Sequence, residues 1–341
     1  MKTQLIHIDR DNPQQQLVDL AGRLLAQGSL VAIPTETVYG LAANALDEQA
    51  VCAIFAAKGR PQDNPLIVHI ADMDDLAPLV DYLPPQAKLL AEAFWPGPLT
   101  IILPRAKSVP DVVSAGLDTV AVRMPSHPVA RAIIRAAGVP LAAPSANRSG
   151  SPSPTTAEHV MQDMDGIIPL VVDGGACGVG VESTVLSLAF GEPVILRPGV
   201  ITKEQLEGAI GAVGVDSGVL ARVSDAVKAS SPGMKYKHYA PRAKVYMVEG
   251  DSEGFCNYVN TRPDAVALCF EEDNPKLTID YVNYGTQDDS YSQARTLFDA
   301  LRELDRRGAT IVYARAPKKT GVGLAVYNRL LRAAGFDVIE L

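Results

Sequence analysis

Short apolar runs punctuated by Gly and Pro constrain this chain to an α/β fold. "SLVAIPT" (29–35) reads as a buried strand, and "NPLIVHI" (64–70) is strand-like. "LTIIL", "TVAVRM", "IIPLVVD", "STVLSL" and "PVILRPG" are further short β segments before residue 200. Helical stretches lie between several of them. Leu17, Leu20, Ala21, Leu24 and Leu25 recur at helical spacing over 14–27, and Gly28 ends that helix. "DEQAVCAIFAAKG" (47–59) offers Asp47 as N-cap and Gly59 at its end. Residues 1–210 are therefore expected to form one α/β unit with many strands.

A second alternating pattern starts near residue 244. "KVYMVEG", "AVALCF", "IDYVNYG", "TIVYARA" and "FDVIEL" read as strands, and "SYSQARTLFDALRELDRRG" and "GVGLAVYNRLLRAAG" as helices. The alternation predicts a smaller, mainly parallel, Rossmann-like α/β domain over 244–341. No G-x-G-x-x-G follows its first strand, so no dinucleotide site is expected there. Residues 211–243 lack sustained periodicity and read as an interdomain linker. A mere tether has no use for the aromatic and histidine side chains of "KYKHYAPR".

Composition excludes several functions. The 341 residues carry a net charge of −8, which argues against tight binding to long nucleic acid. Four widely spaced cysteines, Cys52, Cys177, Cys256 and Cys269, form no C-x-x-C pair and read as reduced buried thiols. The N-terminus has no apolar h-region, and no apolar run reaches about 18 residues, so a cytoplasmic protein with no membrane partner is expected.

Four stretches hold candidate site residues. In "AAKGRPQDNPLIVHI" (56–70), Lys58 and Arg60 sit just beyond the expected helix end, stiffened by Pro61 and Pro65, with His69 on the following strand. Cations at a helix C-terminus are common surface features, yet this pair also suits phosphate or carboxylate. "AIPTETVYGLAA" (32–43) places Thr35, Thr37 and Tyr39 where a strand ends, either as a polar ligand site or as a capped turn. "PLAAPSANRSGSPSPTT" (140–156) offers Ser145 and Asn147 in a loop that lacks the P-loop spacing. "GVGVESTVLSL" with "ILRPG" contributes Ser183, Thr184 and Arg197.

Together, "PTETVYGL", "KGRPQDNPL", "WPGPLT", "VAVRMP", "APSANRSG", "GVESTV" and "RPG", in that order, closely resemble the Sua5/YrdC/YciO family, in its two-domain Sua5 form. Lys58-x-Arg60 and Ser145-x-Asn147 look like the family's K-x-R…S-x-N pattern, and "SPGMKYKHYAPR" (231–242) and "GVGLAVYNRL" look like its linker and C-terminal domain. The resemblance implies a twisted, open, mixed sheet around a large concave pocket. It also implies L-threonylcarbamoyladenylate synthase activity: L-threonine, bicarbonate or CO2, and ATP give threonylcarbamoyl-AMP and pyrophosphate, for t6A in tRNA. By the same resemblance, Lys58 and Arg60 would be catalytic and would also touch the nucleotide. Thr35, His69 and Ser183 would bind threonine. Asn64, Arg123, Ser145, Asn147 and Arg197 would bind nucleotide. Tyr236, His238 and Tyr239 would reach the nucleotide or the intermediate from a linker folded over the pocket. Mg2+ would arrive with ATP, since no carboxylate cluster forms an evident cage. A separate threonylcarbamoyl transferase complex would take the product. The rival readings are a translation-associated RNA-binding module using the same anion pocket, a carbamoyl-phosphate-dependent adenylating enzyme, and a family member with another substrate. The second of these carries zinc-finger cysteine pairs that this sequence lacks.

Overall fold

The computed structural model describes residues 2–189, 191–221 and 239–341. The first unit's strands are β1 (Gln4–His7), β2 (Val31–Ile33), β3 (Gly40–Asn44), β4 (Ile67–His69), β5 (Leu99–Pro104), β6 (Thr119–Arg123), β7 (Leu141–Ala142), β8 (Leu170–Asp173), β9 (Thr184–Ser187), β10 (Val194–Arg197) and β11 (Gly214–Val215). Among the described residues they form one mixed sheet in the order β1-β8-β2-β3-β7-β4-β6-β5-β9-β10-β11. Its helices are α1 (Gln15–Ala26), α2 (Glu48–Lys58), α3 (Pro85–Phe94), α4 (Asp111–Ser114), α5 (Pro128–Ala137), α6 (Ala157–Met164) and α7 (Lys203–Ile210). Two apolar clusters cover its two faces: one gathers Val51, Ile54, Phe55, Leu90 and Ile101, and the other Val18, Leu25, Ile33, Ile133 and Val172. Burial on both faces explains why the strand sequences are nearly continuous apolar runs instead of alternating ones.

The second unit has β12 (Lys244–Glu249), β13 (Val266–Cys269), β14 (Tyr281–Asn283), β15 (Ile311–Arg315) and β16 (Val338–Glu340), with α8 (Ser252–Asn260), α9 (Ser290–Arg306) and α10 (Gly321–Ala333). Its described strand pairs are all parallel, in the order β14-β13-β15-β12-β16. This is the expected parallel α/β unit, and α8 is the helix that periodicity did not single out. The two units are not loosely tethered. Val38, Val181 and Val200 of the first unit pack into the same core as Leu297, Phe298 and Val326 of the second. Gly180, at φ +87°, lies so close to α9 that a Cβ there would stand 2.4 Å from the Ala294 carbonyl oxygen. Only glycine permits that approach.

The expectation of a linker over 211–243 is corrected at its start. Gly214–Val215 pairs in parallel with Val194 and Ile195, extending the large sheet, and Val219 is buried. The strand escaped notice because a two-residue element has no readable period. Tyr236 and His238 lie outside the described residues. All four cysteines are free; three are buried, whereas Cys52 is only half-buried on α2. No helix among the described residues is long and apolar enough to cross a membrane.

Candidate active site

The site begins with how α2 ends. Asp47 accepts hydrogen bonds from the backbone N–H groups of Gln49 and Ala50, fixing the helix start. At the other end Gly59 adopts φ +62°, its N–H bonds to Ala56 O, and Arg60 N–H bonds to Phe55 O. This Schellman geometry turns the chain sharply and sends Lys58 and Arg60 in defined directions.

Lys58 is not beyond the helix, as the sequence suggested, but is its last residue, and it is 4% exposed. The surface reading therefore fails. Its Nζ donates to the Ser145 carbonyl, to Asn147 O at 2.6 Å and to Asn147 Oδ1 at 3.4 Å. Three acceptor oxygens around an ammonium with three protons make a complete clamp. Ser149 N–H bonds back to Lys58 O at 2.9 Å, so helix end and loop hold each other at both backbone and side chain. Burial, with the nearby Arg60 charge, holds the Lys58 pKa well below the ordinary lysine value.

The S-x-N loop is tied equally to the β2–β3 turn. Gly40 and Ser145 form an isolated antiparallel bridge, Leu41 N–H bonds to Pro144 O and Ala146 N–H to Tyr39 O. Ser145 Oγ donates to Asn147 Oδ1 at 2.5 Å, and Asn147 Nδ2 donates to Arg148 O and Ser151 O. Stretches a hundred residues apart in sequence thus share one rigid edge.

A cavity opens beside this edge. Thr35, Lys58, Arg60, His69, Arg123, Ser145, Asn147, Ser183, Arg197 and Tyr239 all line it. Strand register explains part of that convergence. His69 and Arg123 are direct partners on the parallel pair β4 and β6, so their side chains share a face. Arg197, at the end of β10, donates from Nε to Ser183 O and from Nη2 to Ser183 Oγ, both at 3.1 Å. Ser183 Oγ also lies 2.7 Å from Thr100 Oγ1 on β5, which anchors it from behind. Burial lowers Arg60 and Arg197 to about 10, with Tyr239 opposing the shift in both cases. Both remain charged at neutral pH.

Not every expected residue reaches the cavity with its side chain. Asn64 does not line it; its backbone oxygen accepts from Arg60 Nη2 at 3.2 Å, so it steadies Arg60 from behind. Arg123 lines the cavity, but its Nη2 lies 2.7 Å from Glu36 Oε1 in a buried pair. Its charge is therefore matched internally. Glu36 and Glu182 are the residues that sequence reasoning passed over. Glu182 lines the cavity and is buried, with Oε1 accepting from Ser153 at 2.5 Å and Oε2 from Nε of Arg329 at 2.8 Å. Burial alone pushes this carboxylate up, but Arg329, Arg197 and Ser153 outweigh it and hold the pKa below the ordinary value. Arg329 belongs to α10 and is fully buried, so the second unit forms part of the wall behind the site. The only signal in the sequence was a charged residue on the apolar side of an amphipathic helix, which by itself names no partner.

Burial depresses His69 to about 3 and His127, at the start of α5, to about 4. The folded state thus resists protonating either ring, while the unfolded chain protonates near the ordinary histidine value of 6.5. Stability is fully present above pH 6.5 and falls as pH drops below it toward those folded values. Denaturant midpoints measured from pH 7.5 to 5 should decline, and substituting His127 by Gln should flatten the decline. Midpoints that hold constant to pH 5 would contradict this burial account.

The family model Sua5_yciO_yrdC, described as "Telomere recombination", matches residues 23–199. A second, described as "Threonylcarbamoyl-AMP synthase, C-terminal domain", matches residues 201–335. The chain is 45% identical to a threonylcarbamoyl-AMP synthase of Pyrococcus abyssi, covering 97% of this chain and 98% of that protein. It is 50% identical to one of Bacillus subtilis, covering 94% and 93%. The fold is similar to the crystal structure of P. abyssi Sua5 complexed with L-threonine, at a TM-score of 0.90 and 43% identity, covering 99% of this chain and 100% of that one.

Proposed function

The chain belongs to the Sua5/YrdC/YciO family, and from that membership we propose that it is a threonylcarbamoyl-AMP synthase, a nucleotidyltransferase serving t6A formation in tRNA. The observation that carries the reading is the cavity itself. Two buried cations, Lys58 and Arg197, and a half-buried one, Arg60, share a wall with two hydroxyl-bearing loops in a chain of net charge −8. Arg60 is the half-buried one of the three by exposed area, and its guanidinium still lies against the cavity. A cation cluster of this kind in a concave pocket suits a small anionic ligand rather than a polynucleotide backbone.

In the proposed reaction the amine nitrogen of L-threonine bonds to the carbon of CO2 delivered by bicarbonate, and loses a proton, giving a carbamate. A carbamate oxygen then bonds to the α-phosphorus of ATP, and the bond from that phosphorus to the β-phosphate oxygen breaks, releasing pyrophosphate. Negative charge grows on phosphate oxygens, so fixed cations and positioning carry most of the acceleration. Arg60 and Arg197 supply that charge. Lys58 keeps Ser145 and Asn147 in place for the nucleotide and adds its own field. Thr35, His69 and Ser183 form the amino-acid end, where burial keeps His69 neutral at physiological pH. Glu182 is the acidic side chain on the cavity wall, and both its oxygens are engaged by Ser153 and Arg329. No group of three metal-ligating side chains occurs among the described residues. Mg2+ would arrive bound to the triphosphate and water. The acyl adenylate is labile in water, so a threonylcarbamoyl transferase complex is the proposed consumer.

The test is incubation with ATP, L-threonine and bicarbonate. Pyrophosphate and an AMP-linked product should accumulate only when all three are present. ATP turnover without threonine, or no turnover, would remove the assignment.

A further inference from the structure

Ser183 and Arg197 reach the cavity from the open end of the β9–β10 hairpin, where little ladder remains to hold them. Arg197 pairs with Val185, and the register shifts between Ile195 and Arg197. Beyond that pair, Glu182 and Ser183 enter the hairpin and Pro198 and Gly199 leave it. One guanidinium from the second unit bridges the two ends. Arg329 Nε donates to Glu182 Oε2 at 2.8 Å, Nη2 to Glu182 O at 3.3 Å, and Nη1 to Pro198 O at 2.7 Å. The same two segments meet on the cavity side, where Arg197 donates to both oxygens of Ser183. Arg329 therefore grips from behind the pair that faces the ligand. Its neighbours on α10 extend the grip: Asn328 Nδ2 donates to Val219 O at 2.7 Å and Arg332 Nη2 to Gly218 O at 3.0 Å.

Stability alone does not require this arrangement. A buried ion pair contributes little beyond an apolar pair of the same volume, because desolvation offsets its attraction. What a guanidinium adds is geometry: a planar fork with five donors can satisfy a carboxylate and two carbonyls on different segments at once. The second Glu182 oxygen accepts from Ser153, so the carboxylate is fixed from both sides. The two hairpin ends have no slack between them, since a Cβ on Gly199 would stand 2.3 Å from the Thr184 backbone nitrogen. We infer that Arg329 is a positioning residue for the reaction, through which the second unit sets the distance between Glu182–Ser183 and Arg197–Pro198. This rests on the synthase reading and gives the second unit a part in the chemistry.

Arg329→Lys keeps a positive charge opposite Glu182, but one compact ammonium does not span both hairpin ends. In the full-length enzyme this change should lower kcat/KM for ATP about tenfold, through misplacement of Arg197. A cycle with Arg197→Lys, which removes the two-point hold on Ser183, separates positioning from packing. If Arg329 acts through the Arg197 segment, Arg329→Lys should cost no more than about twofold in that background. An equal loss in both backgrounds, or a folded Arg329→Lys enzyme as active as the parent, overturns the inference. Thermal unfolding checks the fold of each variant. Should Arg329→Lys not fold, Glu182→Gln combined with Arg329→Met replaces it in the cycle. That pair strands no charge yet lacks the hold on Pro198, so the same tenfold loss and the same coupling are expected. The dissociation constant for ATP, measured by calorimetry, runs the cycle without turnover. Coupling in that binding, with no threonine-dependent pyrophosphate release from the parent enzyme, would overturn the synthase reading and leave the positioning of Arg197 standing.

Discussion

Replacing Lys58 by alanine should lower threonine-dependent pyrophosphate release by about 10²- to 10³-fold, the range seen when a preorganised donor is lost from a buried site. The expectation rests on two effects of one ammonium. It is the buried positive charge nearest the S-x-N loop, and it satisfies Ser145 O, Asn147 O and Asn147 Oδ1 together. Alanine removes the charge and leaves the Ser145 and Asn147 backbone oxygens without this donor inside the protein, so both the field and the loop geometry suffer. Arginine should not rescue it. A planar fork cannot replace a compact ammonium among three converging oxygens. Steady-state pyrophosphate release measures the effect, with a circular dichroism spectrum and a thermal midpoint as controls. A folded Lys58→Ala enzyme within threefold of the parent would return Lys58 to a structural role.

The second large effect is expected at the boundary between the two units. Arg329 pairs with Glu182, donates to Pro198 O at 2.7 Å and to the Glu182 carbonyl at 3.3 Å, and sits beneath Tyr239. Arg329→Ala strands a buried carboxylate and opens a void at the interface. Removing one partner of such a pair costs about 3–5 kcal/mol. Glu182→Gln combined with Arg329→Met should be less destabilising than the worse single change, since the stranded charge is gone; a double-mutant cycle in urea measures the coupling. The pH dependence follows from the sign of the shift. The Glu182 pKa is lowered in the folded state from the ordinary glutamate value of 4.5, so its contribution is present above that pH and disappears as pH falls below it. Arg329→Ala should therefore lose its stability deficit relative to the parent in strong acid. A deficit independent of pH would assign the effect to packing alone.

The contrast between Lys58 and Arg329 shows how far the sequence could be read. Asp47, Gly59 and the apolar spacing of 47–59 define α2 by local rules, because capping and propensity act within a few residues. The motifs also resemble those of the family in their order, and that resemblance implies that Lys58, Arg60, Ser145, Asn147 and Arg197 serve one site, which remains a proposal; they line one cavity. Burial could not be read the same way. A lysine at the end of a helix is ordinarily solvated, and only the packing of the S-x-N loop over α2 takes Lys58 out of water. Asn64 shows the reverse error: within the motif by sequence, it serves the cavity through its backbone carbonyl.

By itself the sequence determined the α/β class, the parallel second unit and the ends of α2, since each follows from periodicity or capping; that Lys58, Arg60, Ser145, Asn147 and Arg197 belong together was implied by the family resemblance, and the fold brings all five to one cavity. Tertiary structure alone decided that Gly214–Val215 joins the large sheet, that Glu36 pairs with Arg123, and that Arg329 reaches Glu182 across the boundary. The physical reason is common to the three. Each depends on which segments the sheet brings side by side, and the stability of a buried charge depends on a partner that may lie anywhere in the chain, 147 residues away in the case of Arg329 and Glu182.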